Sequence, residues 1–480
     1  MQNSHSAKNV SRQAGIYYSF LASFLILCLA SLYFVRGSNL ILSSLIIALI
    51  SLIVFVLCFS TTGLLSVLSL LIVSLTASAS FLGLVSRLGM ESNTRFLLVA
   101  EFKTILILVV SASLIFNNAF RRLWVRNYYP FIILAIYAMV RLQDLTPNAL
   151  GYLRNFATPA FIMLIGLSLA SIDHKKLDWA FKGLTNVMVF AATIEYFVGK
   201  NTWLNFLASD VVTTIKGPTS IVTDFFGIPV SRIIGLAGNP IIMSFIFGSL
   251  AFWHFCLKNI RHLTMSSVAM LLTFGKAGIL MFLLALTWYF VFSSKKKLLS
   301  GLKLTLLTLL PFPLFAIYSS ISSPLNLLYI FTHPLSVFYG NNSAISHGVG
   351  AYLGIRNALI NPIGDGTGSG GNLTNIFEKT DASTWISSGS ESSIGVIGTQ
   401  LGILGIVTFY LGFILLCYRA QSAQIKLDEL RLPFLGVFYG WVSACIFSEN
   451  ALGPSSSFLP ITISSILLYG TFKTHNEIIN

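Results

Sequence analysis

Long apolar runs separated by short polar joints set the pattern of this chain. A helix needs about 20 apolar residues, or about 17 at the short end, to cross the hydrocarbon of a bilayer. Runs of that kind recur at 16–35, 39–59, 62–85, 97–117, 129–143, 157–173, 183–198, 239–257, 302–319, 393–418, 433–449 and 456–472. One more apolar stretch, between Lys258–Arg261 and Lys295–Lys297, holds about 30 residues, too long for one comfortable crossing and too short for two. It has to go out and back, with its turn at Gly275-Lys276-Ala277-Gly278, where paired glycines permit a tight bend. Arms of roughly 14 residues at about 1.5 Å each reach only about 20 Å, which leaves Lys276 at membrane depth. The pattern therefore predicts an all-α polytopic integral membrane protein with about 14 transmembrane segments, the short hairpin counted as two. It divides into N-terminal helices (1–198), an outer loop, helix and hairpin (199–319), a large polar loop (320–392) and C-terminal helices (393–480). No internal repeat is visible, which weighs against transporter folds built from two similar halves.

Composition agrees with the pattern. Hydrophobic residues make up 55% of the chain and charged ones 10%, with a mean hydropathy of +0.81, outside the range of soluble domains. A net charge of +14 would suggest nucleic acid in a soluble protein. Here the basic residues lie in short clusters between apolar runs, where they set topology, and no nucleic acid is implied. Lys8 and Arg12 put the N-terminus in the cytoplasm. Successive crossings then place Arg121-Arg122-Arg126, His174-Lys175-Lys176, Lys258-Arg261, Lys295–Lys297 and Arg419 on the same side, and both termini inside. The five cysteines, Cys28, Cys58, Cys256, Cys417 and Cys445, fall in or at the ends of apolar runs and read as small core residues. The first run, Ile16 to Val35, is too long for a signal-peptide core and reads as an anchor.

Much of the ionisable chemistry gathers on the polar interval between Asn326 and Ser392, on the face opposite the basic clusters. Arg232 lies at the outer membrane boundary, against the topology rule; it reads either as an arginine snorkelling to lipid phosphate or as a forked ligand for an anion. Lys276 is an ammonium inside an apolar hairpin, with an internal carboxylate such as Glu195 or Glu101 as the plain alternative to an anion. Arg356 opens a short amphipathic segment ahead of the glycine run Gly364 to Gly371. That run lacks the Gly-Lys-Ser/Thr and preceding strand of a phosphate cradle and reads as a flexible loop. Arg141 and Arg154 flank a short outer loop, with a structural role favoured for both. Glu391 stands at the mouth of a long helix, either as a carboxylate favoured by the helix dipole or as a general base, with Asp365, His347 and Glu449 as weaker candidates for that base. No His, Cys or Asp spacing suggests a bound metal.

Taken in order, Arg232-x-x-Gly-x-x-x-Asn239-Pro240, Leu271-Leu-Thr-Phe-Gly-Lys276-Ala-Gly278, a large outer loop with Arg356 and Gly364-Asp365-Gly366, and Glu391-Ser-Ser-x-Gly-x-x-x-Thr-Gln400-Leu-Gly-Ile-Leu-Gly405 resemble the O-antigen polymerase and O-antigen ligase superfamily. The resemblance covers about residues 230–410. It implies a GT-C-type glycosyltransferase fold in the bacterial inner membrane, acting at the periplasmic face, without a metal or other cofactor, on undecaprenyl-diphosphate-linked oligosaccharide donor and acceptor. A chain-length regulator would be a further partner, alongside membrane lipid. On this basis Arg232, Lys276, Arg356 and Glu391 are expected to be catalytic, with Asn239, Arg154, His347, Asp365 and Gln400 binding substrate. Two departures stand out. Family members commonly carry an arginine after the Leu-Thr of the hairpin; here the basic residue is Lys276, which keeps the charge without the bidentate fork. The histidine of the ligases, about nine residues before the acidic position of their last motif, has no counterpart where Glu391 and Gln400 align, which favours an inverting polymerase over the ligase. A lipid-linked oligosaccharide flippase is the rival of another class; it needs charge through the depth of the membrane, whereas the candidates here gather at one face.

Overall fold

The computed structural model describes residues 104, 106–199, 202–203, 222–225, 228–293, 342–372, 391–427 and 430–470. The runs expected at 16–35, 39–59, 62–85 and 302–319, and His333, lie outside these residues. The described helices are α1 Leu106–Phe116, α2 Asn118–Val140, α3 Pro147–Ala170, α4 His174–Val198, α5 Pro240–Cys256, α6 Ile260–Leu272, α7 Lys276–Ser293, α8 Asn342–Ile360, α9 Ser393–Leu427, α10 Gly436–Phe447 and α11 Pro454–Tyr469. Four helices, spanning Asn118–Val140, Asn148–Ala170, Lys276–Ser293 and Ser393–Lys426, are long and apolar enough to cross a membrane. One short antiparallel β-hairpin departs from the all-helical expectation: β1 Val222–Phe225 pairs with β2 Ile228–Ser231, immediately before Arg232.

Several helices begin earlier than their apolar runs. α3 starts at Pro147, ten residues before the expected 157, because Thr146 accepts a hydrogen bond from Ala149 N–H at 3.3 Å and Pro147 fills the first helical turn. Arg154 therefore lies two turns inside α3, and the short loop it was expected to flank shrinks to Leu142–Thr146. α2 likewise starts from an Asn117 cap, drawing Arg121, Arg122 and Arg126 into the helix. The expected hairpin is present as α6 and α7, with its turn at Thr273–Gly275. Its arms are unequal, 13 and 18 residues, and Lys276 opens the second arm instead of sitting in the bend. Within the large polar loop, α8 is a 19-residue helix that contains Arg356 near its end.

The helix ends sort into two levels. At one, Arg419 of α9 bonds the Arg126 carbonyl and Asn127 of α2, Asp178 of α4 accepts from Trp253 and Asn259, and Arg431 caps the last carbonyls of α11. At the other lie the starts of α3, α5, α7, α9 and α11 and the ends of α2, α4 and α10. Close packing fixes this second level. A Cβ on Gly278 would collide with Ser244 of α5, and one on Gly354 with the backbone of Gly395, so the small residues let α7 sit on α5 and α8 on α9.

Candidate functional site

The second level brings together residues from distant parts of the sequence. The segment after β2 is seated by a carboxylate: Glu195, 4% exposed near the end of α4, accepts from the N–H groups of Ile234 (3.0 and 3.2 Å) and Gly235 (2.7 Å). Glu195 is thus occupied with backbone, while Glu101, the other carboxylate considered for Lys276, lies outside the described residues. Held this way, Arg232 donates Nε–H to the Thr273 carbonyl at 3.0 Å and a terminal N–H to the Phe274 carbonyl at 3.2 Å, fastening onto the hairpin turn. Arg232 also caps the C-terminal end of α6, where helix carbonyls favour a cation. Two residues further on, Lys276 stands at the N-terminal end of α7, where the dipole disfavours one. The charge of Arg232 acts on Lys276, and that of Lys276 on His347. Basic groups from three chain segments are thus linked electrostatically.

His347 enters from α8 and meets Glu391. Its Nδ1 lies 2.8 Å from the Glu391 carbonyl and 3.7 Å from the Glu391 carboxylate. Burial holds the imidazole below its usual range; Glu391 pulls the other way and Lys276 adds to the depression. Glu391 itself adopts a left-handed φ of +67°, a conformation that a non-glycine residue keeps only when its surroundings hold it there. Those surroundings are specific. Ser392 donates to the Ile446 carbonyl and Ser393 to the Ser448 carbonyl, each at 2.7 Å, stitching the mouth of α9 to the end of α10. Glu449, 6% exposed in the 3-10 turn Glu449–Leu452, accepts from Tyr152 Oη–H, from Asn372 N–H at 3.0 Å on each oxygen, and from the Glu391 N–H. Burial pushes its carboxyl up to about 7, against the lowering effect of these donors.

The glycine run is ordered, contrary to the flexible loop expected, because it completes a broken helix. α9 breaks at Gly402 (φ +66°, ψ −161°), splitting the pair that Ile403 N–H and Thr399 C=O would otherwise make. Asp365 N–H takes the Thr399 carbonyl at 2.9 Å, Gly366 N–H the Gln400 carbonyl at 3.0 Å, and the Pro362 carbonyl accepts from Ile403 N–H at 3.1 Å. Non-helical backbone inside an apolar bundle is tolerable when protein satisfies it in this way. Gln400, fully buried, holds the run from its other side, accepting from Gly368 N–H at 2.9 Å and donating to the Gly370 carbonyl at 2.6 Å. Arg141 donates to the Gly364 carbonyl at 2.7 Å, and Thr367 pairs with both Ala138 and Arg141 backbone.

The expected site residues thus fall into two groups. Arg232, Lys276, His347 and Glu391 form a linked series. The others make these contacts: Asn239 caps α5 through Ile241 N–H at 2.8 Å, Asp365 accepts from Asn361 at 2.8 Å within its own turn, Arg154 lies 3.5 Å from Asn155 on α3, and Gln400 is bound to the glycine run. Arg356 is exposed on α8 and does not join the cluster. It is nine residues beyond His347, which at 3.6 residues per turn places it about 180° around the helix and about 13 Å along it. Sequence reasoning missed Tyr152 and Asn372, which become visible only when Glu449 gathers them. Among the described residues no group of three or more His, Cys, Asp or Glu could hold a metal ion.

Comparison with known proteins finds no matching family model, no similar curated protein and no similar solved structure. The functional reading therefore rests on the motifs and this geometry. Chemically, the arrangement links an arginine and a lysine electrostatically to an imidazole and a carboxylate, at one end of a bundle of membrane-compatible helices. Such a set suits an anionic group that gains charge as a neighbouring hydroxyl loses its proton.

Proposed function

We propose that the protein is a polysaccharide polymerase of the O-antigen type. It transfers a glycan from undecaprenyl diphosphate to the terminal sugar of a lipid-linked repeat unit, at the periplasmic face of the bacterial inner membrane, on a GT-C-type scaffold. A hydroxyl of the acceptor sugar attacks the anomeric carbon of the donor, the bond from that carbon to the diphosphate oxygen breaks, and the configuration inverts. The observation that carries this reading is that Arg232 bonds the hairpin turn at the Thr273 and Phe274 carbonyls, just before Lys276, while His347 of α8 bonds Glu391, with the charges of these segments acting on one another. Negative charge grows on the departing diphosphate, and one cation at about 4 Å in a medium of effective dielectric about 20 is worth roughly 4 kcal/mol in that limit. At about 1.4 kcal/mol per tenfold in rate, Arg232 and Lys276 together are adequate to drive departure. In this reading Glu391 and His347 orient the acceptor hydroxyl and receive its proton.

Purified protein given lipid-linked repeat units, without any gradient, should lengthen them, and Arg232→Ala should stop this. Wild-type protein that moves lipid-linked glycan across a bilayer without joining units would favour the flippase.

A second reading, the ligase that transfers finished glycan to lipid A-core, gains from one observation. Glu391 stands where the ligases carry their histidine, and His347 of α8 reaches the Glu391 carbonyl at 2.8 Å. A deletion strain separates the two: single-repeat glycan supports the polymerase, and long glycan detached from core supports the ligase.

A further inference from the structure

Glu449 lies outside every motif that carries the functional reading, yet its buried carboxylate is hydrogen-bonded on both oxygens. Its two oxygens collect Tyr152 from α3, the Asn372 N–H beyond the glycine run, and the Glu391 N–H at the mouth of α9. These donors come from three separate parts of the chain. Burying a carboxylate is costly, and the donors offset that cost only while the group is ionised and can accept from all of them. Two bonds meet at the Glu391 backbone: its N–H goes to Glu449 and its C=O to His347 Nδ1. Whatever fixes the Glu391 N–H therefore helps to fix the imidazole. The left-handed φ of Glu391 is the independent sign of this constraint, since the strain persists only while neighbouring bonds hold the backbone.

We propose that Glu449 is a positioning residue, whose ionised carboxylate clamps the backbone at Asn372 and Glu391 and thereby holds the Glu391–His347 pair in its working geometry. The inference rests on the glycosyl-transfer reading above and adds to it a residue that acts through another. Protonation turns one carboxyl oxygen into a donor and releases at least one of the N–H groups, so the clamp loosens as pH falls through neutrality. Among the described residues, the titratable groups that act on Glu449 are Tyr152 from α3 and Glu391 before α9; Arg154 lies two residues beyond Tyr152 on α3, and the Cys445 thiol of α10 contacts Ser393. α11 carries no Asp, Glu, Lys, Arg or His.

The test uses full-length protein in detergent with lipid-linked repeat units, with kcat and KM measured on either side of neutrality. Glu449→Gln, close to isosteric, should lower kcat about tenfold or more with donor KM within about twofold, and should flatten the acid limb of the pH profile. Tyr152→Phe removes a bond that favours the ionised form, so the acid limb should move to higher pH. A readout free of turnover accompanies these: the rate at which diethyl pyrocarbonate modifies His347, followed by peptide mass spectrometry, should rise in Glu449→Gln. Wild-type protein that polymerises while Glu449→Gln keeps the wild-type kcat, acid limb and His347 modification rate would overturn the proposal. Wild-type protein that joins no units would remove the functional reading instead, and the modification rate would still decide whether the clamp exists.

Discussion

Gln400 was expected to bind substrate, and its surroundings predict a different consequence of removing it. The side chain is fully buried, and both ends of its amide are used: the carbonyl by Gly368 N–H at 2.9 Å and the amino group by the Gly370 carbonyl at 2.6 Å. Gln400→Ala deletes both partners and leaves a backbone donor and a backbone acceptor with nothing opposite them. Each such orphan costs about 1–3 kcal/mol, so the variant should lose about 2–6 kcal/mol. At roughly 2 °C per kcal/mol, the rate for the larger domains, the unfolding midpoint in detergent should fall by about 4–12 °C. Thermal unfolding followed by light scattering or a thiol-reactive dye on the purified variant measures this directly. Below its own midpoint, Gln400→Ala should keep a donor KM within about twofold of wild type. A variant that unfolds with the wild-type midpoint and yet raises KM tenfold would refute the reasoning and return Gln400 to the substrate.

Arg232→Ala and Lys276→Ala should each lower kcat by about a thousandfold, following the loss of roughly 4 kcal/mol of charge stabilisation in the limit used above, in the lipid-linked polymerisation assay. Arg356→Ala, at an exposed position on the far side of α8 from His347, should stay within about twofold of wild type in the same assay, and a loss comparable to that of Arg232→Ala would place Arg356 at the substrate after all. The Glu449 carboxyl, raised from 4.5 to about 7 by burial, binds its proton more tightly when folded. Folding stability should therefore decrease as pH rises from about 4.5 to 7 and level off above it. That term is on the order of 3 kcal/mol at about 1.4 kcal/mol per pH unit, and Glu449→Gln should abolish it in chemical unfolding across that window. Gly402→Ala places a Cβ against the Pro362 carbonyl in a backbone region open to glycine alone, so it should cost more than about 3 kcal/mol and show first as lost expression.

The apolar runs made the helices of this bundle legible, and the 30-residue anomaly between two basic clusters made the α6–α7 hairpin legible. What hydropathy could not show was where helices begin among polar residues. The signals were local and present, Thr146-Pro147 for α3 and Asn117 for α2, but cap chemistry does not raise an apolar average. α8 escaped because Ser346, His347, Arg356, Asn357 and three glycines interrupt its apolar residues, and Gly354 packs on Gly395 of α9. The glycine run misled for a related reason. Composition marks Gly364–Gly371 as flexible, whereas four of its glycines take positive φ to deliver N–H and C=O groups to the break at Gly402. Contacts such as His347 with Glu391, 44 residues apart, and Tyr152 with Glu449, 297 apart, have no one-dimensional signature at all.

The splice at Gly402 also sets an order of assembly. Arg141 and Asn148 give hydrogen bonds to the glycine run, and the run in turn needs the opened helix some 250 residues after them. A ribosome adding about 5–20 residues per second delivers that segment only tens of seconds after the early helices have emerged. Until then, donors and acceptors at the ends of α2 and α3 depend on water or on the insertion machinery. Chains truncated before α9 should consequently be recognised by membrane proteases as unfinished, even though their early helices are apolar enough to reside in lipid.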